Sequence, residues 1–153
     1  MKIADYLNSQ DIIPNLVSTT KEGVLTELTE KLVARHPALA CDEVLRILRE
    51  RELLGSTGIG GGIAIPHAKL QHAGEPIIVF GRSLKGITYD ALDGKPVTLF
   101  FLLIADTNSF EQYLKLLARI SRLLKDRALR CRLLEVSGVD ALYEIIQEQD
   151  NRL

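Results

Sequence analysis

The chain lacks an excess of charge of either sign: nineteen lysines and arginines stand against twenty aspartates and glutamates, for a formal charge of -1. The basic residues are scattered rather than gathered into a stripe, so a nucleic-acid partner is not expected. Long apolar runs are missing too. The longest, Val97 to Ala105, falls far short of the roughly 20 residues that span a bilayer, and the opening MKIADYLNSQ has no h-region of a secretory signal. Membrane insertion is not expected, and the chain reads as cytoplasmic. Cysteine is scarce. Cys41 and Cys131 stand apart with no CxxC, within helix-like patterns, which points to inert thiols rather than a disulfide or a metal site. No metal or other cofactor is expected. There is no internal repeat, low-complexity tract or linker, and 153 residues with 46% hydrophobic content suffice for one buried core without requiring a second. A single domain over residues 1–153 is expected.

What the chain does have is a concentration of glycine. The stretch from Gly55 to Leu70 reads GSTGIGGGIAIPHAKL, with glycines at 55, 58, 60, 61 and 62, adjacent Ser56 and Thr57, and His67 behind Pro66. Glycine costs roughly 1 kcal/mol relative to alanine inside a helix, so this stretch is not helical. Two uses fit such a run: positive φ angles, or close approach of the backbone to something else. Unobstructed N–H groups, two hydroxyls and a nearby cation are what a phosphate needs, so the run reads as a phosphate cradle with His67 at its edge. The run lacks a GK[ST] ending and does not fit GxGxxG, because Ile63 stands where the last glycine belongs. Nucleotide binding is therefore disfavoured.

Taken in order, IIPNLV near the start predicts an edge strand, since Pro14 has no N–H for a ladder. A helix follows, with Thr19 and Glu22 as a capping box and Val24, Leu25, Leu28 and Leu32 on one face, ending near His36 and Pro37. A second helix is expected from about Asp42, its N-cap, to Leu54, with Arg49 and Arg51 in its last turn. Gly62 to Pro66 alternates like a strand, Ile63 and Ile65 on one face and Ala64 on the other, and His67 is expected to leave that strand at its end. Further strands are expected at Ile77 to Gly81, at Ile87 to Tyr89 and at Val97 to Ile104. The last has no alternation and should be covered on both faces. The remainder reads as helix: a long one opened by Ser109 and Gln112, a short one around Ala128 to Leu134, and a last one from Val139 to about Gln149 capped by Ser137 or Asp140. Strands in the middle and helices at both ends predict an α/β fold, a mixed central β-sheet sandwiched between helical layers.

From Arg51 and Glu52 through GSTGIGGGIAIPH, the chain resembles the active-site signature of the EIIA domain of the fructose and mannitol class (type 2) of the bacterial phosphoenolpyruvate-dependent phosphotransferase system. Its unbroken STGIG and the lack of an attached EIIB or EIIC segment look most like the nitrogen-regulatory branch, EIIA-Ntr. The likeness runs from the first strand to the LYEII of the last helix. It implies a phosphoryl carrier, in which phosphorylated HPr or its nitrogen-branch counterpart donates to His67, at Nε2, for presentation to regulatory target proteins or an EIIB acceptor. Two other readings stand beside this one: a stand-alone sugar-specific EIIA feeding a fructose- or mannitol-type EIIB, and a non-covalent anion-binding module. Many relatives carry a second histidine early in the helix after the buried strand, and the resemblance puts Tyr113 there.

The chemistry follows from residue types. A neutral imidazole is a competent nucleophile near pH 7 and holds a phosphoryl group as a labile phosphoramidate. Transfer passes through a loose transition state with charge on the equatorial oxygens, so positioning and electrostatics are the protein's task. Arg51, Ser56, Thr57 and the amides of Gly60 and Gly61 are the expected donors to those oxygens. Ser56 and Thr57 can equally serve only to shape the turn, and Tyr113 can be either a hydroxyl donor or a packing residue. For Nε2 to react, Nδ1–H must donate elsewhere, to a backbone carbonyl. His36 and His72 have no motif support.

Overall fold

The computed structural model describes residues 1–153 as six strands and five helices. After a single 3-10 turn at Ile3–Asp5 come strand β1 (Leu7–Ile13), helices α1 (Lys21–Arg35) and α2 (Cys41–Leu53), and strands β2 (Gly58–Gly60), β3 (Ile63–Ala64) and β4 (His67–Leu70). Then follow the two long strands β5 (Ile77–Ile87) and β6 (Val97–Asp106) and helices α3 (Phe110–Leu124), α4 (Arg127–Glu135) and α5 (Val139–Asn151). The sheet order is β1-β5-β6-β3-β2, with β4 also paired to β6. It is mixed: β5 runs antiparallel to β6, whereas β1 lies parallel to β5, and β3 and β4 lie parallel to β6.

The unbroken apolar run of β6 has its reason in the layers around it. Leu99, Phe101 and Leu103 point into a core shared with Leu116, Ile120 and Leu123 of α3 and with residues of α4 and α5. Phe100, Leu102 and Ile104 point the other way, into a core with Val24 and Leu28 of α1 and Val44 and Leu48 of α2. Every one of these β6 side chains is at most 1% exposed, so both faces of the strand need hydrocarbon and neither admits the usual alternation. Ile63 and Ile65 fall on the first face and Ala64 on the second, as their alternation predicts. No helix is long and apolar enough to cross a membrane.

Several boundaries differ from expectation. Helix α1 is capped by Thr20, whose hydroxyl accepts from Gly23 N, and Glu22 turns outward to pair with Arg49. Helix α2 begins one residue before Asp42, at Cys41, with Ala40 as an N-cap that offers no side-chain bond; Asp42 and Glu43 instead lie in the first turn, where the helix dipole favours them. Gly138, at φ 87°, caps α5 in place of Ser137 or Asp140, and Ser109 caps α3 without a side-chain bond. The separate strands expected at Ile77 to Gly81 and near Ile87 are one strand, because Gly86 at φ 80° and a register shift between Arg82 and Ile87 let β5 bend and re-pair with β6.

Candidate functional site

His67 stands where two short strands meet end to end along β6. Ile63 pairs with Leu99 and His67 with Leu103, so the offset of 36 residues (99 − 63 and 103 − 67) is kept across the break at Ile65 and Pro66. His67 is thus the first residue of β4 rather than the last of the strand before it. Pro66 cannot donate to the ladder, but its carbonyl still accepts from Leu103 N at 3.0 Å, which holds the register through the break.

That break frees the carbonyl of Ile65, and it lies 2.6 Å from His67 Nδ1. A carbonyl can only accept, so Nδ1 carries the proton. On the other side of the ring, Arg51 Nε lies 3.3 Å from His67 Nε2. A guanidinium can only donate, so Nε2 holds a lone pair. Both contacts specify the same neutral tautomer. Burial lowers the His67 pKa from its usual 6.5; the Ile65 carbonyl opposes that shift and the Arg51 charge adds to it. The imidazole is partly buried and uncharged near neutral pH, with its unprotonated nitrogen at Nε2.

Arg51 reaches the ring because the last turn of α2 is locked to the loop that follows it. Its Nη1 donates to the Gly55 carbonyl at 2.8 Å. Next to it, the Glu52 carboxylate accepts from Thr57 N at 3.0 Å and from the Thr57 hydroxyl, and pairs with Lys21 Nζ at 3.0 Å. Thr57 is 3% exposed and also lies 3.3 Å from the hydroxyl of the fully buried Tyr89. Ser56 donates to the Tyr89 carbonyl at 2.9 Å and accepts from Gly58 N at 3.0 Å. Both hydroxyls are committed to the protein, so of the two roles open to them the turn-shaping one is what the geometry displays.

Tyr113, in the first turn of α3, is near the ring: the two centroids are 5.7 Å apart at 58°. Burial raises its phenol to about 12, with the Arg51 charge opposing, so it is neutral at any ordinary pH. Gly60 and Gly61 are elsewhere. Gly60 pairs with Ile63 and hence sits at the Leu99 level of β6, four positions from Leu103, about 13 Å along the sheet at about 3.3 Å per residue. Gly61 N donates to the Asp93 carboxylate at 3.1 Å, and Gly60, Gly61 and Gly62 take φ of 97°, 68° and 81°. The third and fourth of the run's glycines serve the β2–β3 turn, one of the two uses open to them, and do not reach the imidazole.

Two charged residues at the site, Glu52 and Lys69, were left out of the set expected from the sequence to contact the phosphoryl group. Glu52 was visible only as part of the motif, and its burial could not be read from a helix end that carries Arg49, Glu50, Arg51 and Glu52 in succession. Lys69 follows His67 by two positions on β4, and strand periodicity alone puts both side chains on one face. Leu53 and Leu54, which follow Glu52, and Phe110 and Leu114, which flank Tyr113, are all exposed. No three His, Cys, Asp or Glu side chains converge as a metal site.

The α/β fold thus presents a neutral imidazole at a strand junction, beside a guanidinium. The chain belongs to the family of the phosphoenolpyruvate-dependent sugar phosphotransferase system, EIIA 2, whose model matches residues 5–149. The nitrogen regulatory protein of Bradyrhizobium diazoefficiens is 36% identical over 146 residues, 95% of each chain. The fructose-specific EIIABC component of Bacillus subtilis is 38% identical over 150 residues, which are 98% of this chain but 24% of that protein. Among solved structures, nitrogen regulatory protein IIA-Ntr from Neisseria meningitidis superposes with a TM-score of 0.88 at 29% identity, covering 94% of this chain and 98% of that one.

Proposed function

We propose that this chain is a cytoplasmic phosphoryl carrier of the nitrogen-regulatory branch, accepting a phosphoryl group on His67 Nε2 from phosphorylated HPr or its nitrogen-branch counterpart. The observation that carries the reading is the fixed tautomer, with Nδ1–H on the Ile65 carbonyl at 2.6 Å and Nε2 unprotonated beside Arg51. In the transfer, the Nε2 lone pair forms the new N–P bond while the donor's N–P bond breaks and its electron pair returns to the donor nitrogen. No proton has to move. The product imidazolium keeps its Nδ1–H, and the Ile65 carbonyl then faces a positive ring. Arg51 Nε loses its acceptor when Nε2 bonds phosphorus and becomes free to donate to a phosphoryl oxygen. The exposed Leu53, Leu54 and Phe110 give a protein donor an apolar surface to dock on. Regulatory targets, distinguished by whether His67 is loaded, are the proposed downstream partners.

A second reading is favoured by the identity with the Bacillus subtilis fructose-specific EIIABC component: a sugar-specific EIIA that passes its phosphoryl group to an EIIB. One experiment tests the first step. Phosphorylated HPr-type donor should add one acid-labile, base-stable phosphoryl mass to wild type and none to His67→Ala; equal labelling of both ends the reading. Onward transfer to a purified fructose- or mannitol-type EIIB, at a rate matching loading, would favour transport over regulation.

A further inference from the structure

We propose that Lys69 is the mobile counter-ion of the phosphoryl group on His67, swinging from an aromatic perch onto the phosphoryl oxygens when the group arrives. The inference rests on the carrier reading above. Its starting point is the pleat of β4: His67 and Lys69 face outward, while Ala68 and Leu70 are buried in the core against α1 and α2. Lys69 Nζ sits 4.5 Å over the Phe110 ring and 5.6 Å over that of Tyr113, whose centroid is itself 5.7 Å from the imidazole. The cation is therefore held one aromatic ring away from the reacting nitrogen.

Lys69 has no carboxylate partner, whereas Lys21 is tied to Glu52 and Lys115 to Glu111. A cation–π contact at an exposed site is weaker than a charge-assisted hydrogen bond to a phosphoryl oxygen, and the four-carbon stem of lysine lets the ammonium change partner. The demand for a second cation is also visible. A phosphoryl group brings nearly two negative charges and three acceptor oxygens. Arg51 spends Nη1 on the Gly55 carbonyl and has Nε facing the ring, so it meets part of that demand. Tyr113 can add a hydrogen bond but no charge. Lys69 supplies the missing positive charge without leaving its strand.

Two measurements on the whole chain test this. In wild type, proton NMR should show the Lys69 side-chain methylenes shifted upfield by the Phe110 and Tyr113 ring currents, and loading with phosphorylated HPr-type donor should abolish that shift. Methylenes that keep it in the loaded protein overturn the proposal. Separately, Lys69→Met should load roughly tenfold more slowly and Lys69→Arg within about twofold of wild type, with the gap closing at high salt because the contact is solvent-facing. Lys115→Met, which removes an exposed cation on α3, serves as control. Equal loading rates for wild type and Lys69→Met, or equal impairment of the Met and Arg variants, overturn the proposal. Failure of wild type to load on His67 at all would instead bring down the carrier reading on which it rests, and Lys69 with it.

Discussion

Arg51 Nε points at His67 Nε2 across 3.3 Å, so the nucleophile's lone pair is already occupied by the cation that the incoming group will need. The contact does two things at once. A guanidinium on Nε2 disfavours a second positive charge on the ring, which keeps the imidazole neutral, and it fixes which nitrogen faces outward. It must also break for reaction to occur, so the guanidinium is released where the phosphoryl oxygens appear.

The pH dependence of stability follows from that arrangement. The folded-state pKa of His67 is lowered, chiefly by burial, from its usual 6.5, so below 6.5 the unfolded chain binds the proton more readily than the folded one. The His67 contribution is fully present above 6.5 and is lost as pH falls below it towards the folded value. Urea denaturation of wild type and His67→Gln at pH 7.5 and at 5.5 should show wild type losing more stability on acidification than the variant. Taking the difference between the two removes Asp11, whose carboxyl is pushed up by burial and titrates in the opposite sense. An equal loss in both would mean that the ring is not held neutral by its surroundings.

Gly61 provides a contrast between folding and chemistry. At φ 68° it occupies the left-handed region, and a Cβ there would come within 3.5 Å of the Arg130 guanidinium. Gly61→Val should cost about 1–3 kcal/mol of stability, seen as a lowered melting temperature. Phosphoryl acceptance, measured where the variant is still folded, should be unchanged, because the residue is well removed from His67. A normal melt with impaired transfer would restore the glycine amides to the phosphate site.

Glu52 is a buried acceptor for three donors, and its loss should be felt in both stability and transfer. Glu52→Gln keeps the shape but leaves Lys21, at 22% side-chain exposure, without its charge partner. A loss of about 1–3 kcal/mol is expected on denaturation. Because the same carboxylate pins Thr57 to the end of α2, loading from the donor should slow by more than in Arg49→Met, which removes the neighbouring exposed cation. Transfer rates beside denaturation curves for the two variants decide it.

Much of this arrangement was legible in the sequence, and what was not has physical causes. The β6 run without alternation implied two covered faces, and the opposed placement of Ile63 and Ala64 followed from period two. Reaction at Nε2, implied by the resemblance, requires Nδ1–H to donate to an acceptor and pointed to a backbone carbonyl, a place that the Ile65 carbonyl takes at 2.6 Å. What the sequence hid was distance. His67 lies seven positions after Gly60, and a composition argument cannot tell whether β3 carries them apart or a loop folds them together. Arg82 is the other instance. It is 2% exposed, donates to the Pro14 carbonyl at 3.0 Å and to the Leu133 carbonyl of α4 at 2.9 Å, and nothing local distinguishes it from a solvated strand arginine. Such a role depends on where a helix lying fifty residues later comes to rest.

Tyr113 carries the last prediction. Its ring packs 5.7 Å from the imidazole and its phenol, raised by burial to about 12, is a neutral donor throughout the working range. Tyr113→Phe removes the hydroxyl and keeps the ring, so the expected change is that of one neutral hydrogen bond, roughly 0.5–1.5 kcal/mol, or about twofold to tenfold in transfer rate and phosphohistidine lifetime. A Phe variant indistinguishable from wild type would reduce Tyr113 to a packing residue. Tyr113→His distinguishes donor from charge. A histidine there titrates between pH 5 and 8, as a phenol does not, so loading should stay active but acquire a new pH dependence, faster on the acid side where the added cation faces the phosphoryl oxygens. A flat profile in that variant would mean that position 113 does not reach the phosphoryl group and that Arg51 and Lys69 together meet its charge.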